Sequence, residues 1–273
     1  MMKMKVTDDL GRVIYLIKTP RRVVSLCPSL TETLFDLGLD DLVIGRTDYC
    51  VHPEEKLGAV QSVGGPKSVF LPVVESLLPD IILAVKEEND KKTLESLASL
   101  YYKCVIFDIN SVEGALKMIE KLGEIFGRRE RAAAMRASIG EGFSRVGRAA
   151  KNPSFIYMTW SSPYIAAGTG NYINSLLTGF GFNNCLSGSF RRYVRMELNE
   201  LKRLEPDIIF LPSEPYNYTI ADKIKFEKFF PGAKVVLVDG EMFCWYGSRM
   251  EKAGGYLKDL FKGLGVVRES RES

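Results

Sequence analysis

At 273 residues, with 46% hydrophobic and 26% charged side chains, the chain has the make-up of a globular protein long enough for two modest domains, each with its own core. Thirty-seven basic against 34 acidic residues leave a formal net charge of +3, too small a surplus to favour nucleic acid or an anionic membrane surface as a partner. No stretch reaches the roughly 18 consecutive apolar residues of a membrane span, so no membrane insertion is expected.

In chain order, residues 6–17 read as two short strands around an Asp8-Asp9-Leu10-Gly11 turn, a hairpin closed by Pro20. Residues 22–26 form a buried strand. Ser29-Leu30-Thr31-Glu32 has the spacing of a capping box opening a helix, with Leu30, Leu34 and Leu37 on one face and Gly38 as its stop. Residues 43–46, 81–85 and 105–108 supply further strands between helical stretches, and such alternation implies a parallel sheet. Residues 111–151 contain no proline and read as helix, divided at Gly127; the second part, 128–149, would extend on the order of 33 Å, long enough to bridge two domains. Its arginines read as a solvated face. Strand and helix then alternate again: 155–160 strand, 171–181 helix, 208–211 and 235–239 strands, 248–262 helix. Residues 270–273 read as a frayed tail.

One unit occurs twice. Glu75-Ser76-Leu77-Leu78-Pro79-Asp80-Ile81-Ile82-Leu83-Ala84 returns as Lys202-Arg203-Leu204-Glu205-Pro206-Asp207-Ile208-Ile209-Phe210-Leu211, a helix stopped by proline and followed by a buried aliphatic strand. The fold class expected is α/β, with two Rossmann-like lobes of parallel sheet joined by a long bridging helix and preceded by a β-hairpin. The division expected is 1–110 for the hairpin and first lobe, 111–151 for the bridging helical segment and 152–273 for the second lobe.

Cys27, Cys50, Cys104, Cys185 and Cys244 are odd in number, scattered and without a CxxC pair, a pattern of reduced thiols in a reducing compartment. The opening residues contain no apolar leader segment, so a cytoplasmic protein is expected; a periplasmic or surface-anchored one is the alternative if a leader has been removed.

In open α/β sheets ligands sit beyond the carboxyl ends of the strands, and a cleft between two lobes is where a small molecule is expected. That rule selects loops holding Tyr49, Cys50, His52, Lys67, Glu88 and Asn89 in the first lobe, and Trp160, Tyr164, Trp245 and Tyr246 in the second; Tyr193 and Arg249 join the candidates through the resemblance given below. Two readings of Trp160 and Trp245 stand: rings that sandwich a flat apolar ligand, or rings that pack the interface between the lobes. Arg191, Arg192 and Arg195 around Tyr193, with Lys67 and Lys86, suit a ligand bearing carboxylates or phosphates. Cys50 and His52, the only histidine, form a candidate metal pair to be completed by Glu87 or Glu88; a loop residue preceding Pro53 is the blander reading of His52. Enzymatic signatures are incomplete. Gly168-Thr169-Gly170-Asn171 lacks the third glycine of a dinucleotide loop, Gly64-Gly65-Pro66-Lys67-Ser68 lacks P-loop spacing, and no Gly-x-Ser-x-Gly elbow occurs.

The hairpin, Arg21-Arg22-Val23-Val24-Ser25-Leu26-Cys27-Pro28-Ser29-Leu30-Thr31-Glu32, Gly45-Arg46-Thr47-Asp48-Tyr49-Cys50, Val63-Gly64-Gly65, both Pro-Asp-Ile-Ile units and the bridging helix together resemble the helical-backbone (class III) solute-binding protein family, of the cobalamin/ferric-chelate ABC-importer type, over nearly the whole chain. Cys50-x-His52-Pro53, Lys86-Glu87-Glu88-Asn89 and Asp239-Gly240-Glu241 through Arg249 bring it closest to the leaderless members. The resemblance implies non-catalytic capture of a metal chelate, a corrinoid by preference, in the cleft between the lobes. No cofactor is required beyond a bound corrinoid, porphyrin or other chelate, and Tyr193 takes the place of a ligand-stacking aromatic. Two rivals stand beside that reading: the solute-binding component of a cobalamin or iron-chelate importer, and a cytoplasmic enzyme acting on a tetrapyrrole or metal. Two departures are visible. Pro72 and Asn199 stand where importer members carry permease-docking glutamates, with Glu75, Glu197 and Glu200 nearby, so docking on an ABC permease is doubtful; Gly64 and Gly65 occupy the stretch where cobalamin binders carry an aromatic.

Overall fold

The computed structural model describes residues 4–267. Two compact units emerge: one runs to Ile109 and adds Glu113–Ser138 and Gly247–Arg249, the other comprises Asn110–Val112, Ile139–Tyr246 and the chain from Met250.

The first unit opens with a hairpin of β1 (Met4–Thr7) and β2 (Val13–Leu16), antiparallel with Met4 opposite Leu16. Its sheet holds β3 (Val23–Ser25), β4 (Val43–Arg46), β5 (Gln61–Ser62), β8 (Ile81–Val85) and β9 (Cys104–Phe107) in the order β5-β4-β3-β8-β9, every pairing parallel. A small antiparallel pair, β6 (Gly64–Gly65) and β7 (Ser68–Val69), follows β5. β8 and β9 are buried along their whole length, as continuous aliphatic runs in a doubly covered parallel sheet should be. The hairpin turn covers the β9 edge: the Asp9 amide donates to the Ile106 carbonyl at 3.0 Å, and the Asp108 amide donates to Asp9 Oδ2 at 3.0 Å. An edge strand that would otherwise offer unpaired backbone groups is closed.

The second unit's sheet contains β10 (Ser154–Ser161), β11 (Tyr164–Ala167), β12 (Asn183–Asn184), β13 (Tyr193–Arg195), β14 (Ile208–Pro212) and β15 (Lys234–Val238). β10, β14 and β15 are parallel, with β12 also parallel to β10. β11 and β13, absent from the sequence reading, extend the sheet antiparallel to give β13-β11-β10-β14-β15. Phe155, Phe182, Phe210 and Phe243 fill one side, with Tyr157 against Phe243 at 5.4 Å.

The repeated Pro-Asp unit has the same role in both sheets. The residue before each proline is left-handed, Leu78 and Glu205 both at φ 45°. Each aspartate then ties down the start of the neighbouring strand. Asp80 Oδ2 accepts the Arg21 amide at 2.9 Å, and Asp207 Oδ2 accepts the Ser154 amide and hydroxyl at 2.7 and 2.8 Å. The Ser154 bonds hold the Asp207 carboxyl below its ordinary pKa.

Two expectations need correction. Ser29 does not cap a helix: the helix Pro28–Asp36 starts at Pro28, after Cys27, with no side-chain cap. Proline at the first position needs no donor, and Glu32 is drawn elsewhere. The helix expected over 128–149 ends at Ser144, because Gly147 at φ 78° turns the chain. Its 16 residues extend about 24 Å. The tail at 270–273 lies outside the described residues.

Candidate functional site

In the first unit, the loops at the carboxyl ends of β3, β5 and β8 are held together by one side chain. Asn89 accepts the Val85 amide at 2.8 Å and donates to the carbonyls of Leu26 at 2.8 Å and Pro66 at 3.0 Å. Asn89 is buried and belongs to the scaffold rather than to a ligand-facing surface. Asn89→Ala, which strands the Val85 amide and two carbonyls, is expected to lower stability by about 2–3 kcal/mol in urea unfolding. Around that clamp Tyr49 is exposed, its ring edge beside Gly65, and Lys67 is exposed on the β6–β7 turn. His52 and Glu88 are half-buried. Lys86 pairs with Asp108 at 2.7 Å, so its charge is already engaged.

Cys50 is not placed to hold a metal with His52. Its thiol is buried between the hydroxyls of Thr31, at 3.1 Å, and Thr47, at 3.3 Å, and burial raises its pKa. No group of three or more His, Cys, Asp or Glu side chains suited to a metal ion comes together among the described residues. The metal pair expected from the sequence is therefore set aside.

In the second unit, Trp160 at the end of β10 is 41% exposed; its indole N–H donates to the Ser162 carbonyl and its ring meets Tyr216 edge-on at 5.6 Å. Tyr193 on β13 is 43% exposed and lies between the exposed Arg191 and Arg195. The loop before β13 is pinned by Gly168, where a side chain would run into the Arg191 carbonyl, and by Asn171, which donates to the Arg192 carbonyl at 2.5 Å. Tyr164 is taken up locally: its hydroxyl accepts from Lys225 at 2.6 Å and its ring packs on Phe226.

The other predicted aromatics lie deeper. Trp245 is buried, with its indole N–H donating to Glu214 Oε1 at 2.7 Å, and Tyr246 is buried edge-on against Tyr172. Of the two tryptophans, only Trp160 keeps its ring partly in solvent. Glu214, in the strand-end loop that follows β14, is the acceptor that fixes Trp245.

Arg249 is also a scaffold residue. Its Nε donates to Glu32 Oε2 at 2.9 Å and its Nη2 lies 2.8 Å from Oε1, both side chains being 5% exposed. The preceding Gly247, at φ 84°, lies where a side chain would run into Thr33 Oγ1, and the Ser248 amide donates to that oxygen at 3.1 Å. The Gly-Ser-Arg end of the motif is a clasp on the helix Pro28–Asp36. No helix among the described residues is long and apolar enough to cross a membrane.

This arrangement has known counterparts. The Vitamin B12-binding protein of Vibrio campbellii is 24% identical over 194 residues, covering 70% of this chain and 70% of that protein. The high-affinity heme uptake system protein IsdE of Staphylococcus aureus is 27% identical over 194 residues, 69% of this chain and 65% of that one. Among solved structures, the periplasmic Vitamin B12 binding protein BtuF of Vibrio cholerae superposes with a TM-score of 0.76 at 18% identity, covering 90% of this chain and 98% of that one. The periplasmic heme-binding protein RhuT from Roseiflexus superposes with a TM-score of 0.72 at 16% identity, covering 89% and 98%. With two α/β lobes built on the same repeated unit, and with residues 23–230 matched by the family described as Periplasmic binding protein, this chain belongs to that family.

Proposed function

We propose that the protein captures a metal chelate, a corrinoid by preference, at the strand ends and releases it chemically unchanged. The observation that carries this reading is the pair of half-exposed rings in the second unit, Trp160 and Tyr193, flanked by Arg191 and Arg195. A large aromatic face left in water at the carboxyl end of β10, with a second on the edge strand β13, suits a flat apolar ligand, and the guanidinium groups suit an acidic periphery. Relatives named for vitamin B12 and heme support the same class. Titration with aquocobalamin and with hemin tests it: saturable quenching of tryptophan emission is expected, reduced in Trp160→Phe. A chelate at 100 times its Kd should stabilise the fold by about 2.7 kcal/mol. If neither chelate alters emission or thermal midpoint, the reading falls.

The cytoplasm as the site of action is part of this proposal. It is supported by five cysteines carrying reduced thiols, three of them buried. Weak permease docking is also part of it, since Glu197 and Glu200 are engaged in a capping box on the helix Leu198–Lys202, Glu200 Oε2 accepting the Glu197 amide at 2.8 Å. Cell fractionation and a permease-binding assay decide. Recovery outside the cytoplasm, with permease binding lost in Glu75→Ala/Glu200→Ala, would make the importer component the correct reading.

A further inference from the structure

The N-terminal hairpin leaves an apolar face and a strand edge in water. Val13, Tyr15 and Ile17 alternate along β2 and just past its end and are 44%, 55% and 53% exposed, while Leu16 between them is buried. On the same exposed face of β1, Lys5 lies opposite Tyr15 and Thr7 opposite Val13. The Asp8 amide donates to the Arg12 carbonyl at 3.0 Å, which sets the phase of the ladder. Bonded and unbonded pairs alternate in an antiparallel ladder, so Val6 with Ile14 and Met4 with Leu16 are the bonded pairs. Val13 and Tyr15 therefore point their N–H and C=O groups away from β1. Among the described residues no third strand takes them up.

A bare edge of this kind is a template for another strand, and proteins that avoid such pairing place lysine or proline on it. β1 carries Lys5; residues 13–17 carry neither. Val13-Ile14-Tyr15-Leu16-Ile17 is uncharged and reads alike in both directions by side-chain class, with β-branched residues at its ends, aliphatic ones next and Tyr15 at its centre. An isologous interface brings a segment against its own reversed copy, so a run with this symmetry is matched by itself. Charge agrees at the ends. About a two-fold axis at Tyr15, Arg12 of one copy faces Lys18 of the other, and each already has a carboxylate of its own chain beside it, Asp8 at 2.6 Å and Asp80 at 3.9 Å. The corresponding pairing of β1 with β1 would instead bring Lys5 toward Lys5.

We propose that the outer edge of β2 is a self-association surface, on which a second copy of this chain docks its own β2 antiparallel about a two-fold axis at Tyr15, giving a continuous four-stranded sheet. In that register Tyr15 exchanges both backbone bonds with Tyr15 of the second copy, and Val13 does so with Ile17, because outward-pointing residues recur at every second position. The same side chains then meet on one face, an aromatic pair flanked by β-branched pairs. One paired strand per copy is small beside the roughly 1,600 Å² of a standard interface, so the dimer should form and dissociate over a micromolar range of concentration. The surface contains no residue of the proposed ligand site, and the inference is independent of what that site binds.

The test is sedimentation equilibrium of the intact chain from about 1 to 200 μM, the range a small interface implies. The average mass should rise from 30.6 kDa toward twice that value. Tyr15→Glu sets two carboxylates face to face at the axis and should weaken association about 100-fold or more, with the thermal midpoint kept because the side chain is exposed. Tyr15→Phe should associate like the wild type. Tyr15→Cys should give a disulfide-linked dimer under mild oxidation, since facing residues of a bonded pair lie about 5.5 Å apart at Cα, within disulfide reach. Thr7→Cys, on the same face of β1, should stay at the background set by the wild-type thiols. A monomer throughout the range overturns the proposal and leaves the edge to a strand of another protein. A dimer that persists in Tyr15→Glu, or cross-linking through Thr7→Cys as efficient as through Tyr15→Cys, overturns it as well.

Discussion

Glu32→Gln or Arg249→Met is expected to destabilise the first unit by about 3–5 kcal/mol, because each leaves half of a buried ion pair without its counter-charge. The pair is 5% exposed on both sides, with contacts of 2.9 and 2.8 Å, so water is poorly placed to compensate. The double replacement Glu32→Met/Arg249→Met should cost less than either single change, since well-packed apolar side chains often replace a buried pair with little loss. Urea unfolding of all three variants forms a double-mutant cycle. Single-variant losses below about 1 kcal/mol would show that the pair is solvated and that the clasp is held by Gly247 and Ser248 instead.

Asp8→Ala is the second large effect, expected at about 3 kcal/mol or more. The Asp8 side chain is the turn's hub: Oδ1 accepts the Leu10 and Arg12 amides at 3.0 and 2.9 Å, and Oδ2 accepts from the Arg12 guanidinium at 2.9 and 2.6 Å and from the Ile106 amide at 3.3 Å. Alanine removes every acceptor at once and leaves the edge of β9 without the turn that covers it. Asp8→Asn keeps the Oδ1 acceptor and should lose roughly half as much. Hydrogen exchange at Ile106 and Asp108 distinguishes loss of the turn from general destabilisation, since only turn loss speeds those amides selectively.

What the sequence showed was local or periodic. The hairpin, the buried strands 81–85 and 208–211, the stops at Gly38 and Gly127 and the repeated Pro-Asp are each written within a dozen residues, so their physics is complete before tertiary structure forms. What it hid was decided at a distance. Glu32 looks like the acidic end of a capping box until Arg249, 217 residues away, claims it. Trp245 reads as an aromatic in a ligand loop because nothing nearby in sequence announces Glu214. β11 and β13 are short, without a long aliphatic run, and they exist as strands because β10 offers an edge to β11 and β11 offers one to β13. At the site, the exposed rings Tyr49 and Trp160 were legible from their loop positions, whereas the Trp245–Glu214 bond was not, since the two residues are 31 apart in the chain.

The clasp at 247–249 also has a consequence for biosynthesis. A chain emerging from the ribosome presents the helix Pro28–Asp36 well before the tripeptide that completes its unit, since Arg249 follows Glu32 by 217 residues. At roughly 5–20 residues per second, Glu32 waits about 10–45 s for Arg249. During that interval the nascent first unit carries a carboxylate with no counter-ion in a half-built interior, a state suited to chaperone holding. Neither unit corresponds to an uninterrupted stretch of messenger, so a fragment ending near residue 109 or beginning near residue 139 would be born incomplete.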